Sequence, residues 1–241
     1  MENGTVRVQK YFTDCGVLSR RAAEKEIAAG TVTVNGAVAL PGQRIDPERD
    51  TVCWHGKRIK PTASAHRYIL LNKPRGFVTT LSDEKGRRTV ASLVADVGVR
   101  LYPVGRLDMD SDGLLLMTND GELTHRLTHP RHEIPKRYEV TVKGAVSEAA
   151  LLVLRAPFLL DGYKTQPVQV EVLAHENGNT LLSFLLFEGR NRQIRRMCET
   201  VDLKILRLSR VAIGDITLGN IKEGCYRHLT PDEVAYLKGE K

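Results

Sequence analysis

After residue 66 the chain runs through short β-type segments that helices do not regularly separate, and this pattern restricts the possible folds most. "RYILLNKP" (67–74), "RYEVTVKG" (137–144), "VQVEVLA" (168–174) and "TLLSFLLFEG" (180–189) are apolar or alternating runs of strand length. "EAALLVLRA" (148–156) and "RNRQIRRMCETV" (190–201) have helical spacing. A doubly wound sheet needs a crossover helix after each strand. The expected class is therefore α+β, with a mixed, mostly antiparallel sheet.

The N-terminal stretch has a different pattern. Val6 to Phe12 predicts a short helix ending near Cys15-Gly16, and Ser19 is placed to cap a second helix through "RRAAEKEIAA", with Gly30 as its stop. In "TVTVNGAVAL" alternation around Asn35-Gly36 predicts a tight hairpin, and "TVCWHGKRI" a further strand. "KPTASAH" has linker composition. The expected plan is a small domain over 1–60, a linker over 61–66 and a larger domain over 67–241.

Lys and Arg number 36 against 29 Asp and Glu, a formal charge of +7, which favours a polyanionic partner. The start lacks the apolar core of a signal sequence and no run is long enough to span a membrane, so a cytoplasmic protein without membrane contact is expected. Cys15, Cys53, Cys198 and Cys225 form no CxxC pair, and reduced, buried thiols fit better than a zinc site or a disulfide frame.

Arg7, Lys10, Arg20, Arg21 and Lys25 fall on the two predicted N-terminal helices, with Arg21 and Lys25 one turn apart on one face. Such a cluster can track a phosphate backbone, or it can simply be solvated. In the last helical stretch Ile194, Met197, Cys198 and Val201 form an apolar stripe opposite Arg192, Arg195, Arg196 and Glu199. Arg190 and Gln193 extend this basic segment, which calls for an anionic partner.

"GRLDMDSDG" places Asp108, Asp110 and Asp112 at alternate positions ahead of Gly113. Half of a calcium loop is matched, but Asn119 stands where the closing bidentate Glu belongs, and the flanks read as strands. An acidic turn between strands remains, with Asn119-Asp120-Gly121 as a second turn. On a strand, Arg106 and Asp108 would share a face, a cation for phosphate beside a carboxylate for chemistry. "HRLTHPRH" holds His125, His129 and His132, but Pro130 ends the helix and no further ligand apart from Glu133 is at hand, so a basic loop is expected there and no metal.

Two resemblances sharpen this picture. "SRRAAEKEIAAGTVTVNGAVA" resembles the S4 RNA-binding module, which implies binding of structured RNA by the two helices and the Asn35 turn. "GRLDMDSDGLLLMTNDG" resembles the signature of Rsu-type pseudouridine synthases of ribosomal RNA, with "LLNKPRG" (70–76), "KRYEV" (136–140) and "EGRNRQIRRM" (188–197) matching further motifs in order. The resemblance implies a pseudouridine synthase fold, with Asp108 catalytic, Arg195 paired to its carboxylate and Tyr138 stacked on the base. Asp110 and Asp112 carry no equivalent role.

Lys73, Arg106, Arg190, Arg192, Gln193 and Arg196 are expected to serve RNA binding. Isomerising uridine exchanges no electrons or external groups, so neither a metal nor a nucleotide cofactor is expected. The partner is ribosomal RNA or a pre-ribosomal particle, leaning towards the large subunit, and the protein is expected to be a monomer. The alternative is a non-catalytic RNA-binding or ribosome-assembly protein.

Overall fold

The computed structural model describes residues 4–61, 65–129 and 134–240. They form two compact units, Met1–His66 and Arg67–Lys241. Residues 62–64 of the expected linker, and Arg131, His132 and Glu133 of the histidine-rich loop, lie outside the described residues.

The small unit runs β1 (Val6–Arg7), α1 (Val8–Asp14), α2 (Arg20–Ala28), β2 (Val32–Val34), β3 (Ala37–Val38), β4 (Arg44–Ile45), β5 (Val52–Trp54) and β6 (Lys57–Arg58). Its first helix starts two residues later than the sequence predicts, because Val6 and Arg7 pair with Ile45 and Arg44. Ser19 caps α2, its hydroxyl accepting from the Ala22 amide at 3.2 Å. Asn35 and Gly36 take φ of 53° and 85°, the left-handed pair a tight hairpin needs, and β2 and β3 pair across them. The expected single strand after Thr51 is two strands, β5 and β6. His55 and Gly56 repeat the positive φ pair, at 48° and 73°, and turn the chain back. Val8, Phe12, Ala23, Ile27, Val32, Val34, Ile45 and Val52 close the core of this unit.

The large unit contains β7 (Tyr68–Lys73), β8 (Tyr102–Pro103), β9 (Asp112–Thr118), α3 (Gly121–Thr128), β10 (Lys136–Lys143), α4 (Glu148–Arg155), β11 (Leu159–Leu160) and β12 (Tyr163–Lys164). It continues with β13 (Gln169–Glu176), β14 (Asn179–Leu186), α5 (Gln193–Glu199), β15 (Ile205–Ile213), β16 (Ile216–Thr217), β17 (Tyr226–His228) and α6 (Pro231–Lys238). A mixed sheet follows the order β13-β14-β10-β15-β9-β7-β17, with β8 and β16 attached to it. Among the strands of the described residues in this sheet, β9 and β15 pair in parallel and the others antiparallel.

The sheet is covered on both faces at its centre, which explains the continuous apolar run of β9. Leu70, Leu114 and Leu116 pack in a cluster with residues of α3 and α6. Ile69, Leu71, Leu115 and Met117 pack in another, with Val90, Val94 and Leu101. Towards the other end, Val140, Val142, Leu182 and Phe184 meet Leu151 and Leu154 of α4 and Ile194, Met197 and Cys198 of α5. Of the apolar stripe predicted for α5, Ile194, Met197 and Cys198 are buried as expected, while Val201 lies just beyond the helix and is half-buried.

Other details differ from the sequence reading. Asp120 is not a turn residue: its carboxylate accepts from the Glu122 and Leu123 amides and caps α3. Cys15 and Cys198 are buried, but Cys53 is half-buried and Cys225 exposed. No described helix is long and apolar enough to cross a membrane.

Candidate active site

Where β7 ends, Lys73 turns inward and is completely buried. Its ammonium donates to the carbonyls of Pro74 (3.0 Å), Asp108 (3.0 Å) and Ser111 (2.7 Å). One cation thus gathers the end of β7 and both sides of the acidic loop. The Gly76 amide adds a bond to the Met109 carbonyl at 2.7 Å, and the Thr79 hydroxyl donates to the Leu107 carbonyl at 2.6 Å. The loop carrying Asp108 is therefore held through its backbone rather than through the Asp108 carboxylate. Burial lowers the Lys73 pKa to about 8, against the pull of the three nearby aspartates.

Arg106 and Asp108 do not lie on a strand. They sit in the connection between β8 and β9, with Arg106 exposed and the Asp108 side chain about one-third exposed. The three aspartates have separate surroundings. Asp110 lies 3.5 Å from Arg192 and 3.3 Å from Arg195. Asp112 is the first residue of β9 rather than part of a turn, and its buried carboxylate pairs with Arg207 at 3.1 Å. Gly113 does not make a calcium-loop turn: at φ +104° it lets β9 pass so close to β15 that an added Cβ would meet the Arg210 carbonyl oxygen at 2.3 Å. No cluster of three metal-binding side chains exists among the described residues.

The basic segment approaches from the other side. Arg192 takes φ of 50° and caps α5 rather than lying within it. Its guanidinium is 3.6 Å from Asp108 Oδ2, and Arg195 Nε is 4.0 Å from the same oxygen. Arg195 is anchored through Nη2 to the Asp110 carbonyl and the Ser111 hydroxyl, both at 3.0 Å. Its Nε is buried with no hydrogen-bond partner among the described residues, so it retains a donor beside Asp108.

Gln193 is buried and internally bonded. Its Oε1 accepts from the Arg190 amide and its Nε2 donates to Glu188, so it shapes the start of α5 while lining the cleft. Arg196 is committed to a two-pronged pair with Asp161. Arg190 is exposed and stacks over the Tyr163 ring, 3.4 Å from its centre.

These groups border one cleft of about 360 Å³, lined by Arg106, Asp108, Tyr138, Arg190 and Arg192 along with apolar side chains of the central strands. Tyr138 lies half-buried on β10, opposite Phe184 and Arg210. Lys73 is not in the lining and its burial removes it from RNA. Sequence reasoning missed Lys136 and Arg210, which also line the cleft. A basic residue at an inward position of an otherwise apolar strand is the signal that could have found Arg210.

Residues 67–200 match the family model described as RNA pseudouridylate synthase. The chain belongs to the RNA pseudouridine synthase family. The synthase is 41% identical to an uncharacterized RNA pseudouridine synthase of Aquifex aeolicus, an alignment covering 96% of this chain and 93% of the relative. It is 37% identical to the ribosomal large subunit pseudouridine synthase B of Bacillus subtilis, covering 96% and 95% of the two chains. A crystal structure of a pseudouridylate synthase superposes with a TM-score of 0.69 at 31% identity, over 96% of the synthase and 99% of that chain.

Proposed function

We propose that the synthase converts a uridine of large-subunit ribosomal RNA to pseudouridine, with Asp108 acting on the sugar of a nucleotide flipped into the cleft. The observation that carries this reading is the Asp108 carboxylate, open to the cleft and flanked by Arg192 at 3.6 Å and Arg195 at 4.0 Å. The reaction breaks the N1–C1′ bond, turns the base and rejoins it through C5. Asp108 serves either as the nucleophile at C1′ or as the base that takes a sugar proton. Arg195 orients that carboxylate and favours its ionised form. Tyr138 stacks on the extruded base.

The flipped strand is held at the mouth by Arg106, Arg190 and Arg192, all exposed, which offsets the few kcal/mol lost on unstacking. The choice of large-subunit RNA rests on the Bacillus subtilis relative. The small unit we read as an S4-like module, with exposed Arg7, Arg20, Arg21 and Lys25 as its RNA contacts. Two of its expected contacts are engaged elsewhere: Lys10 pairs with Asp14 at 2.6 Å, and the Asn35 amide holds Asp50 and the Thr51 amide. The module adds affinity by raising effective concentration. The synthase works as a cytoplasmic monomer on ribosomal RNA or a pre-ribosomal particle, and the isomerisation it carries out needs no cofactor.

The test is to map pseudouridine in ribosomal RNA from cells expressing wild type or Asp108→Asn. Loss of one modified position in the variant is expected. Equal modification by both would overturn the role of Asp108 and favour a non-catalytic assembly protein.

A further inference from the structure

The inner end of the cleft carries two further cations, Arg210 and Lys136. Arg210, on β15, is only 4% exposed, and its Nε donates to the Leu114 carbonyl at 2.8 Å. Its Nη2 is buried with no hydrogen-bond partner among the described residues. An unspent guanidinium donor in a desolvated place is costly unless something arrives to accept it. Lys136 lines the same cleft two residues before Tyr138, on the same face of β10. Burial, then the charge of Arg210, lowers its pKa. Neither cation has a carboxylate within ion-pair distance among the described residues.

The surroundings decide which ligand group the pair receives. A phosphate would remain hydrated and suits the exposed arginines at the mouth. The inner end is lined instead by Leu116, Leu186, Leu208 and Ile213, buried apolar side chains that fit the flat face of a base. Tyr138 stands opposite Arg210 in the register, so a ring stacked on the tyrosine has its edge towards the cations.

We infer that Arg210, assisted by Lys136, binds the carbonyl oxygens of the target uracil and stabilises the negative charge they acquire when the glycosidic bond breaks. The inference rests on the proposed isomerisation. As the N1–C1′ bond breaks, its electron pair passes to the uracil ring, where the charge spreads over N1, O2 and O4. C1′ is compensated by a bond to the Asp108 carboxylate, or by loss of the C2′ proton to it. When C5 bonds to C1′, Asp108 leaves or returns its proton, and the C5 proton is lost as N1 regains one. A fixed donor aimed at the developing oxyanion acts in the first of these steps. The same cations disfavour cytosine, which presents an amino donor at C4.

The experiment compares wild type, Arg210→Gln, Lys136→Met and Asp108→Asn in single turnover on ribosomal RNA fragments, with RNA affinity measured separately. Arg210→Gln is expected to slow the chemical step by about 10²-fold while RNA affinity changes less than about threefold. Lys136→Met should give a smaller loss of the same kind. Adding free guanidinium should partly restore the rate of Arg210→Gln, a rescue that a purely structural role would not allow. RNA carrying 5-fluorouridine, whose base is a better leaving group, should lose less of its cleavage rate in either variant.

An unchanged chemical step in folded Arg210→Gln, or a loss confined to RNA affinity, overturns the inference. If Arg210→Gln does not fold, Lys136→Met decides alone, and an undiminished penalty on 5-fluorouridine RNA overturns it. Full activity of Asp108→Asn would instead overturn the underlying reading, so the two failures are distinguishable.

Discussion

The ammonium of Lys73 stands 3.0 Å from the backbone carbonyl of Asp108, so a residue buried beneath the cleft sets the position of the proposed catalytic loop. Lys73→Met leaves three carbonyls without their donor while removing a buried charge. The net loss should be about 2–4 kcal/mol, read by denaturant unfolding. Turnover should fall about tenfold or more with RNA affinity unchanged, because Lys73 acts on the geometry of Asp108 alone.

The same lysine predicts a pH dependence with opposite signs for activity and stability. Its pKa is lowered to about 8 in the fold from an ordinary 10.5. Above pH 8 the neutral amine has two N–H groups for three carbonyls, so activity should fall with a one-proton slope. The unfolded chain binds that proton more tightly, so the contribution of Lys73 to stability is lowest below pH 8 and rises between 8 and 10.5. Both trends should vanish in Lys73→Met, checked by pH–rate profiles and by wild-type-minus-variant unfolding free energies.

Gly113→Ala tests the parallel contact between β9 and β15. The new Cβ would meet the Arg210 carbonyl oxygen at 2.3 Å and its amide nitrogen at 2.8 Å, at a φ that L-residues rarely adopt. Backbone cannot yield as a flexible side chain does, so β9 and β15 must separate. A loss on the order of 3 kcal/mol and loss of activity are expected in thermal and turnover assays. A variant as stable as wild type would refute this account of the glycine.

Thiol reactivity should follow burial. Burial raises the Cys15 pKa to about 11 and the Cys198 pKa to about 12, whereas Cys225 is exposed. A thiol reagent at pH 8 should label Cys225 first in the native protein. Cys15 and Cys198 should react only at the rate of unfolding, as mass spectrometry of labelled peptides can show.

What was legible in the sequence was local. β7, β10, β13 and β14 follow from runs whose apolar pattern suffices by itself, and the α5 stripe from its 3.6-residue period. β15 was not, because Arg207 and Arg210 interrupt its pattern, and each has a partner or purpose far away in sequence: Asp112 for one, the cleft for the other. The motifs point to one cleft, but not to what each side chain touches there. Lys73, Gln193 and Arg196 read as basic or polar contacts for RNA, yet carbonyls, Glu188 and Asp161 respectively engage them. Three carbonyls converging on one ammonium come from two segments more than thirty residues apart, and no local pattern encodes that convergence.

That division among cations gives the last prediction. Arg106, Arg190 and Arg192 are exposed at the cleft, whereas Arg196 is held by both oxygens of Asp161. A cation that neutralises a phosphate contributes a unit of salt dependence, while one already paired does not. Alanine at Arg106 should weaken RNA binding and reduce the slope of log affinity against log salt by about 1; at Arg190 and Arg192, which must first leave looser contacts of 3.9 Å with Glu188 and 3.5–3.6 Å with Asp110 and Asp108, the reduction should be smaller. Alanine at Arg196 should leave the slope unchanged and cost at most about 1 kcal/mol of stability, as expected for an exposed pair. Filter binding across a salt series separates the two groups, and a slope change in Arg196→Ala would mean that the Asp161 pair opens to receive RNA.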